Sequence, residues 1–270
     1  MLSLPEKVAA VAFIVFSSWW VILFFGYHAA LAEQNLIWAA LYQLIAWGGG
    51  IYGLMSARDW GGFKSLMGRG VIYFSLGLLL QAFGQSTFSY YTTLLGVPIP
   101  YPSIADVGYF GSIIFYILGI TSVAQVSGVG VQLKNLGTKV FAIILPVAVL
   151  ICSYAFFLHG YVFDWTHPVQ VLLDFGYPLG EAMYVALALL ALVLSRNILG
   201  GIMRTPLTFL MMALVVQYFA DFNFLTQAYA GTWINGGYGD FVYTFAYFLM
   251  AISLAKIADT LARHRSPGSP

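Results

Sequence analysis

Charge is what this chain has least of. Asp, Glu, Lys and Arg make up 8% of its 270 residues, against about 25% in soluble proteins. With 61% hydrophobic residues and a mean hydropathy of +0.86, a water-soluble surface is excluded, and so is intrinsic disorder. A formal net charge of +1 excludes a nucleic-acid binder working through a basic patch. The lone cysteine, Cys152, sits inside an apolar run; it permits no intrachain disulfide and carries no information on redox compartment. No lysine lies in the middle of an apolar run, so a retinal Schiff base has no attachment point. The phosphate-loop, H-E-x-x-H and C-x-x-C patterns are all missing. Histidines stand only at the edges of runs, which removes a buried serine–histidine pair and a bilayer-spanning haem pair. No cofactor is expected, and no enzymatic chemistry is assigned.

What the chain does have is apolar runs of the length a bilayer demands, about 20 residues each. Eight stretches qualify, near 8–28, 36–57, 69–92, 104–126, 138–159, 170–195, 205–228 and 238–262. The expected fold is all-α: a polytopic membrane protein of about eight transmembrane helices. The breaks are short and carry turn residues, such as Asp59-Trp60-Gly61-Gly62, the run with Pro98, Pro100 and Pro102, and Asn235-Gly236-Gly237. One integral membrane domain is expected over 1–265, followed by a short cytoplasmic tail at 266–270. The first run lacks a small-residue cleavage site and reads as a retained helix. The glycines of Trp47-Gly48-Gly49-Gly50-Ile51-Tyr52-Gly53 read as close helix packing.

Orientation follows from the basic residues. Lys7, then Arg58, Lys64 and Arg69, then Lys134 and Lys139, then Arg196 and Arg204, and finally Lys256, Arg263 and Arg265 all fall on one face, which accounts for all 11. That predicts cytoplasmic termini in a bacterial inner membrane. Tyr90, Tyr91, Tyr101, Tyr161, Trp165, Trp233 and Tyr238 gather at the outer ends, where an interfacial aromatic belt is expected.

An internal repeat underlies the later spans. Asp106-Val-Gly-Tyr109, Asp174-Phe-Gly-Tyr177 and Asp240-Phe-Val-Tyr243 each read D-x-x-Y at the outer start of an even-numbered span, at intervals of 68 and 66 residues. Seven positions beyond each aspartate stand Ile113, Glu181 and Tyr247. In the preceding spans Gln81-Ala-Phe83-Gly-Gln85 matches Gln217-Tyr-Phe219-Ala-Asp221, with a weaker echo at Tyr154-Ala-Phe156. The expected plan is one leading hairpin followed by three related hairpins.

For Asp106, Asp174 and Asp240 two readings stay open. Ser103-Ile-Ala-Asp106 fits a capping box, and an acid in a first turn complements the helix dipole; a ligand or signalling role is the other. Pro178 fits a helix start. Asp221 and Glu181 lie too deep for capping. Acids at such depth cost about 2.5–3.5 kcal/mol on insertion and face the protein interior. Asn223 and Gln85 sit at comparable depth, while His28, His159 and His167 lie at or near the outer surface. Five carboxylates and up to three imidazoles are thus expected around one outward-facing basin. Such groups are plausible ligands for a divalent cation, but none has a recognised metal-ligand spacing, so no metal is assigned. The expected ligand-binding set is Asp221, Glu181, Asp106, Asp174, Asp240, Tyr109, Tyr177, Tyr243, Gln85 and His159.

The segment Pro100-Tyr-Pro-Ser103-Ile-Ala-Asp106-Val-Gly-Tyr109 resembles the P-S-x-A-D-x-x-Y signature of a multi-span bacterial membrane module. That module commonly sits N-terminal to GGDEF and EAL domains or to histidine kinases. The resemblance implies a membrane-embedded sensory or ligand-binding input module. No output domain follows in the sequence to Pro270, so the expectation is either a stand-alone relative that needs a partner or a fragment. Expected partners are membrane lipids and either a cytoplasmic signalling protein or a second copy, with no nucleic acid. Lys256 to His264 can continue the last span into the cytoplasm, as a conduit for movement or as a basic stop-transfer flank. Two other classes are a small transporter or channel using Asp221 and Glu181 for a cation or proton, and a membrane enzyme acting on lipid-like substrates.

Overall fold

The computed structural model describes residues 2–26, 32–126, 135–195 and 203–265, and among these every regular element is helical. In chain order the α-helices are α1 (Leu4–Gly26), α2 (Ala32–Leu41), α3 (Leu44–Ala57), α4 (Leu66–Ser89), α5 (Ile104–Val126), α6 (Leu136–Ser153), α7 (Pro168–Ser195), α8 (Arg204–Tyr229) and α9 (Tyr238–Arg265). Two of them run on as π-helical turns, Tyr90–Leu94 after α4 and Tyr154–Leu158 after α6. Side-chain caps fix several starts. Ser65 accepts from the Gly68 amide at 2.9 Å to begin α4, and Asn135 accepts from Gly137 at 3.0 Å to begin α6, each satisfying a donor that the first helical turn leaves free. Positions 28, 127–130, 134, 196 and 266–270, singled out in the sequence, lie outside the described residues.

Seven of these helices, all but α2 and α3, are long and apolar enough to cross a membrane. The chain is an all-α, multi-pass membrane protein. The expected span at 36–57 departs from the pattern, because it is two helices rather than one. Tyr42 and Gln43 turn between α2 and α3, and Ile45 N closes onto the Tyr42 carbonyl at 3.2 Å. Both side chains are drawn inward: Tyr42 is fully buried, and Gln43 is buried beside Ser89.

Six helices close a ring. α3 packs on α4, α4 on α5, α5 on α7, α7 on α8, α8 on α9, and α9 returns to α3. α1 lies outside the ring against α9, and α6 outside against α7. Lipid is as apolar as leucine, so association of such helices rests on close packing rather than on leaving water. The glycines of α3 supply that approach. A Cβ on Gly49 would stand 2.5 Å from the Cβ of Ala251 on α9, and one on Gly50 would stand 2.6 Å from Leu79 on α4. The outer helix α1 is pinned by polar contacts instead. The Trp38 indole donates to the Phe16 carbonyl at 2.9 Å, and the Trp20 indole donates to the Gly236 carbonyl at 3.1 Å. Lys256 of α9 pairs with Glu6 at 2.8 Å.

The two ends of the ring differ. Towards the end where α1 begins, Phe74, Leu78, Ile120, Leu210, Leu214 and Leu254 are fully buried and fill the interior. The described basic residues gather at this end, Lys7, Arg58, Lys64, Arg69, Lys139, Arg204 and Lys256 among them. The other end carries the connections 95–103, 159–167 and 230–237, and there the ring is open.

Candidate functional site

The open end holds a cavity of about 670 Å³, reaching down to Gln81, Tyr116, Tyr184 and Gln217. Helix α7 shows how local sequence builds its wall. Gln170, Asp174, Tyr177, Glu181 and Tyr184 all line the cavity, and steps of three and four residues put them on one helical face. Helices α4 and α5 supply the adjoining wall, with tyrosines seated over glycines. A Cβ on Gly84 would stand 2.7 Å from the Tyr109 ring, and one on Gly77 would stand 2.5 Å from the Tyr116 ring. Larger residues at 77 or 84 would push these rings away from the positions they hold.

The cavity's carboxylates are held by tyrosines. Asp221 accepts from Tyr184 Oη at 2.8 Å, from Tyr243 Oη at 2.8 Å and from Gln217 Nε2 at 3.0 Å. Asp106 accepts from Tyr177 Oη at 2.6 Å and from the Ser103 amide at 2.6 Å. Asp174 accepts from Tyr101 Oη and from Tyr161 Oη, both at 2.7 Å. Asp240 accepts from Tyr42 Oη at 2.9 Å and from the Gly236 amide at 2.6 Å. Gly236 presents that amide from a left-handed backbone, φ 72°, which a residue with a Cβ adopts only under strain. Glu181 stands apart. It is 5% exposed and lines the cavity. No hydrogen-bond donor among the described residues reaches its carboxylate, on which the charge of Asp221 acts. Asp164 lies at the mouth, where the Thr166 hydroxyl and amide hold its carboxyl below the usual range.

The repeat has a geometric counterpart. In the α4–α5 hairpin Tyr109 donates to Gln85 at 2.9 Å. In the α8–α9 hairpin Tyr243 donates to Asp221, the residue matched to Gln85, at 2.8 Å. The middle hairpin differs because the matching position on its first strand of helix is Leu158, which accepts nothing. Its tyrosine, Tyr177, reaches across to Asp106 of the neighbouring hairpin instead.

Nine of the ten residues expected to form a site line this one cavity: Asp106, Asp174, Glu181, Asp221, Asp240, Tyr109, Tyr177, Tyr243 and Gln85. His159 does not. It is exposed where the π turn at Tyr154–Leu158 ends, and Gly160, at φ 79°, reverses the chain beyond it. His167 does reach the mouth. Asn223 accepts from Gln227 at 3.0 Å and does not line the cavity. Capping accounts for Asp106, whose box with Ser103 forms as expected. It does not account for Asp174, which is the seventh residue of α7 rather than part of its first turn. Pro178, expected near a helix start, lies inside α7, and its carbonyl accepts from Ser153 Oγ at 2.7 Å. Tyr101, Tyr161 and Trp233, expected in an interfacial belt, line the cavity. Tyr42, Tyr116 and Tyr184 were not foreseen; the spacing of Glu181 and Tyr184 along one helix face was the available signal for the last.

Among the described residues no group of three or more His, Cys, Asp or Glu side chains is disposed to hold a metal ion. No family model, curated protein or solved structure matches the chain. The class that fold and cavity define is a multi-pass helical membrane protein with an acidic, tyrosine-lined chamber open at one end.

Proposed function

We propose that the protein is a membrane-embedded sensory or ligand-binding input module of bacterial signalling, with cytoplasmic termini and a cavity facing outward. The observation that carries this reading is the contrast between the two ends of the ring. One end is an open chamber lined by nine residues picked out as a set from the repeat and from their depth. The other is packed with apolar side chains and edged with basic residues. A filled lower half suits a binding chamber better than a channel. Basic residues at that end suit cytoplasmic placement, which leaves the cavity on the outside. The P-S-x-A-D-x-x-Y resemblance at Pro100 to Tyr109 supports the signalling assignment.

A path for the signal follows from α9. Its first turn bears Asp240, held by Tyr42; two turns on it bears Tyr247, and a turn later Met250, both in the core. It continues past the Lys256–Glu6 pair to Arg265. A ligand that binds one arrangement of the ring better than another shifts the population, and α9 carries the shift to the cytoplasmic end. The test is a screen of small metabolites for thermal stabilisation of the purified protein, followed by distance measurement between spin labels at positions 64 and 263. Ligands that stabilise the wild type, lose affinity on Asp221→Asn and change the label distance support a sensor. Uptake of the same compound into proteoliposomes, with no change in label distance, would replace the sensor by a transporter.

A further inference from the structure

Resting on the reading of this cavity as a ligand site, we infer that its ligand is a small organic cation, an amine or ammonium group on an apolar body. Charge gives the first argument. Asp106, Asp164, Asp174, Glu181, Asp221 and Asp240 line the chamber, and among the described residues no lysine or arginine does. An anion or a carboxylate-bearing zwitterion entering it meets no lysine or arginine among the described lining residues.

The second argument is independent of net charge. Most of these carboxylates already have tyrosine donors, but two buried polar groups facing the cavity have none. Glu181 is 5% exposed with no donor among the described residues. Tyr116 is 1% exposed, and its hydroxyl has no partner among the described residues. Both sit at the deep end of the chamber, where the Tyr116 ring packs edge-on against Tyr184 at 5.9 Å and Tyr184 in turn holds Asp221. A buried polar group left without a partner is costly. A ligand N–H supplies what Glu181 lacks as donor, and positive charge supplies what Glu181 and Asp221 together lack as counter-ion.

Size and wall chemistry separate an organic cation from a metal ion or a proton. A volume of about 670 Å³ falls within the usual range for small-molecule sites, roughly 300–1,000 Å³. The lining includes Tyr109, Tyr177, Tyr243, Phe224 and Trp233, aromatic rings whose faces attract a cation and which accept an apolar body as well. No metal-holding group of three ligands occurs among the described residues.

The test uses three probes of one shape and different charge: phenethylamine, phenethyl alcohol and phenylacetate. Binding to the purified full-length protein in detergent is measured by calorimetry at fixed ionic strength. The amine should bind saturably and at least tenfold more tightly than the alcohol, with phenylacetate weakest. Glu181→Gln, which keeps shape and removes charge, should weaken the amine at least tenfold while leaving the alcohol unchanged. Tyr116→Phe should weaken the amine severalfold, and it provides the second variant should Glu181→Gln not fold. Equal binding of amine and alcohol, or tighter binding of phenylacetate, would overturn the cation while leaving a ligand site in place. Displacement of the amine by millimolar magnesium with the same Glu181 dependence would make this an inorganic cation site and overturn the proposal. Absence of binding by all three probes would overturn both the cation and the ligand-site reading.

Discussion

Asp221 is the residue on which the deep end of the cavity depends most, and its removal has a calculable effect. Asp221→Ala leaves Tyr184 Oη, Tyr243 Oη and Gln217 Nε2 without their acceptor at once. Hydrogen bonds to a charged group contribute about 1.5–3 kcal/mol each. Asp221 is only half-buried and opens on the cavity, so water recovers part of the loss, and the expected cost is about 3–5 kcal/mol. Asp221→Asn should cost less. The amide oxygen can keep Tyr243 and Gln217, while the amide nitrogen donates to a Tyr184 hydroxyl that turns to accept. About 1–2 kcal/mol is expected for exchanging charge-assisted bonds for neutral ones. The assay is reversible unfolding in mixed micelles, run as a double-mutant cycle with Tyr243→Phe. The reasoning predicts a coupling energy of about 1 kcal/mol or more between positions 221 and 243. If Tyr243→Phe costs the same in the Asp221→Ala background as in the wild type, the hydroxyl does not hold the carboxylate, and the account of the site is wrong.

Gly236→Ala should destabilise by about 1–3 kcal/mol, because φ 72° is strained for alanine and the new Cβ would meet the Asn35 carbonyl at 2.7 Å; a melting point within one degree of the wild type would refute this. Glu6→Gln should loosen α1 from α9 at a cost of about 1–3 kcal/mol, below the range for breaking a fully buried pair because Lys256 is 23% exposed; Lys256→Met added to Glu6→Gln should cost little more, as unfolding in mixed micelles will tell. Gly49→Leu should force α3 from α9, since even a Cβ there meets Ala251, and the expected readout is loss of the monodisperse peak on size-exclusion chromatography. Cysteines at positions 98 and 235 of a Cys152→Ala protein should react with an impermeant maleimide on intact cells, and one at 62 only after permeabilisation.

Hydropathy alone made seven of the eight expected spans legible as long helices, since a bilayer sets their length and leaves little freedom. The glycines at 49, 50 and 53 were legible as packing residues for the same reason, because small residues have few other uses in such a helix. The site was partly legible. Acids are rare in membrane spans, so Asp221 and Glu181 announced themselves, and the D-x-x-Y spacing linked three more. Tyrosine resisted reading. A chain with 18 of them at both interfacial and interior positions gives no local cue that Tyr101 and Tyr161 hold Asp174 while Tyr90 lies exposed. Contacts closed by the ring were beyond reach, Tyr42 with Asp240 and Glu6 with Lys256 above all. Each joins residues nearly two hundred or more positions apart, and no helical periodicity relates them. The break at Tyr42 and Gln43 was hidden because neither glycine nor proline marks it; burial of the two side chains, a tertiary effect, produces it.

Thiol accessibility along α7 tests the central claim most directly. Single cysteines at 170, 172, 174, 177 and 179 in a Cys152→Ala background would be exposed on intact cells to two membrane-impermeant methanethiosulfonates, one cationic and one anionic. Positions 170, 174 and 177 line the cavity, whereas Leu172 is exposed on another face and Leu179 is not part of the lining. An outward-facing acidic chamber predicts reaction at 170, 174 and 177 alone, with the cationic reagent much faster than the anionic one. Reaction at 172 and 179 as fast as at 174 and 177, or at the lining positions only from the cytoplasmic side, would contradict it.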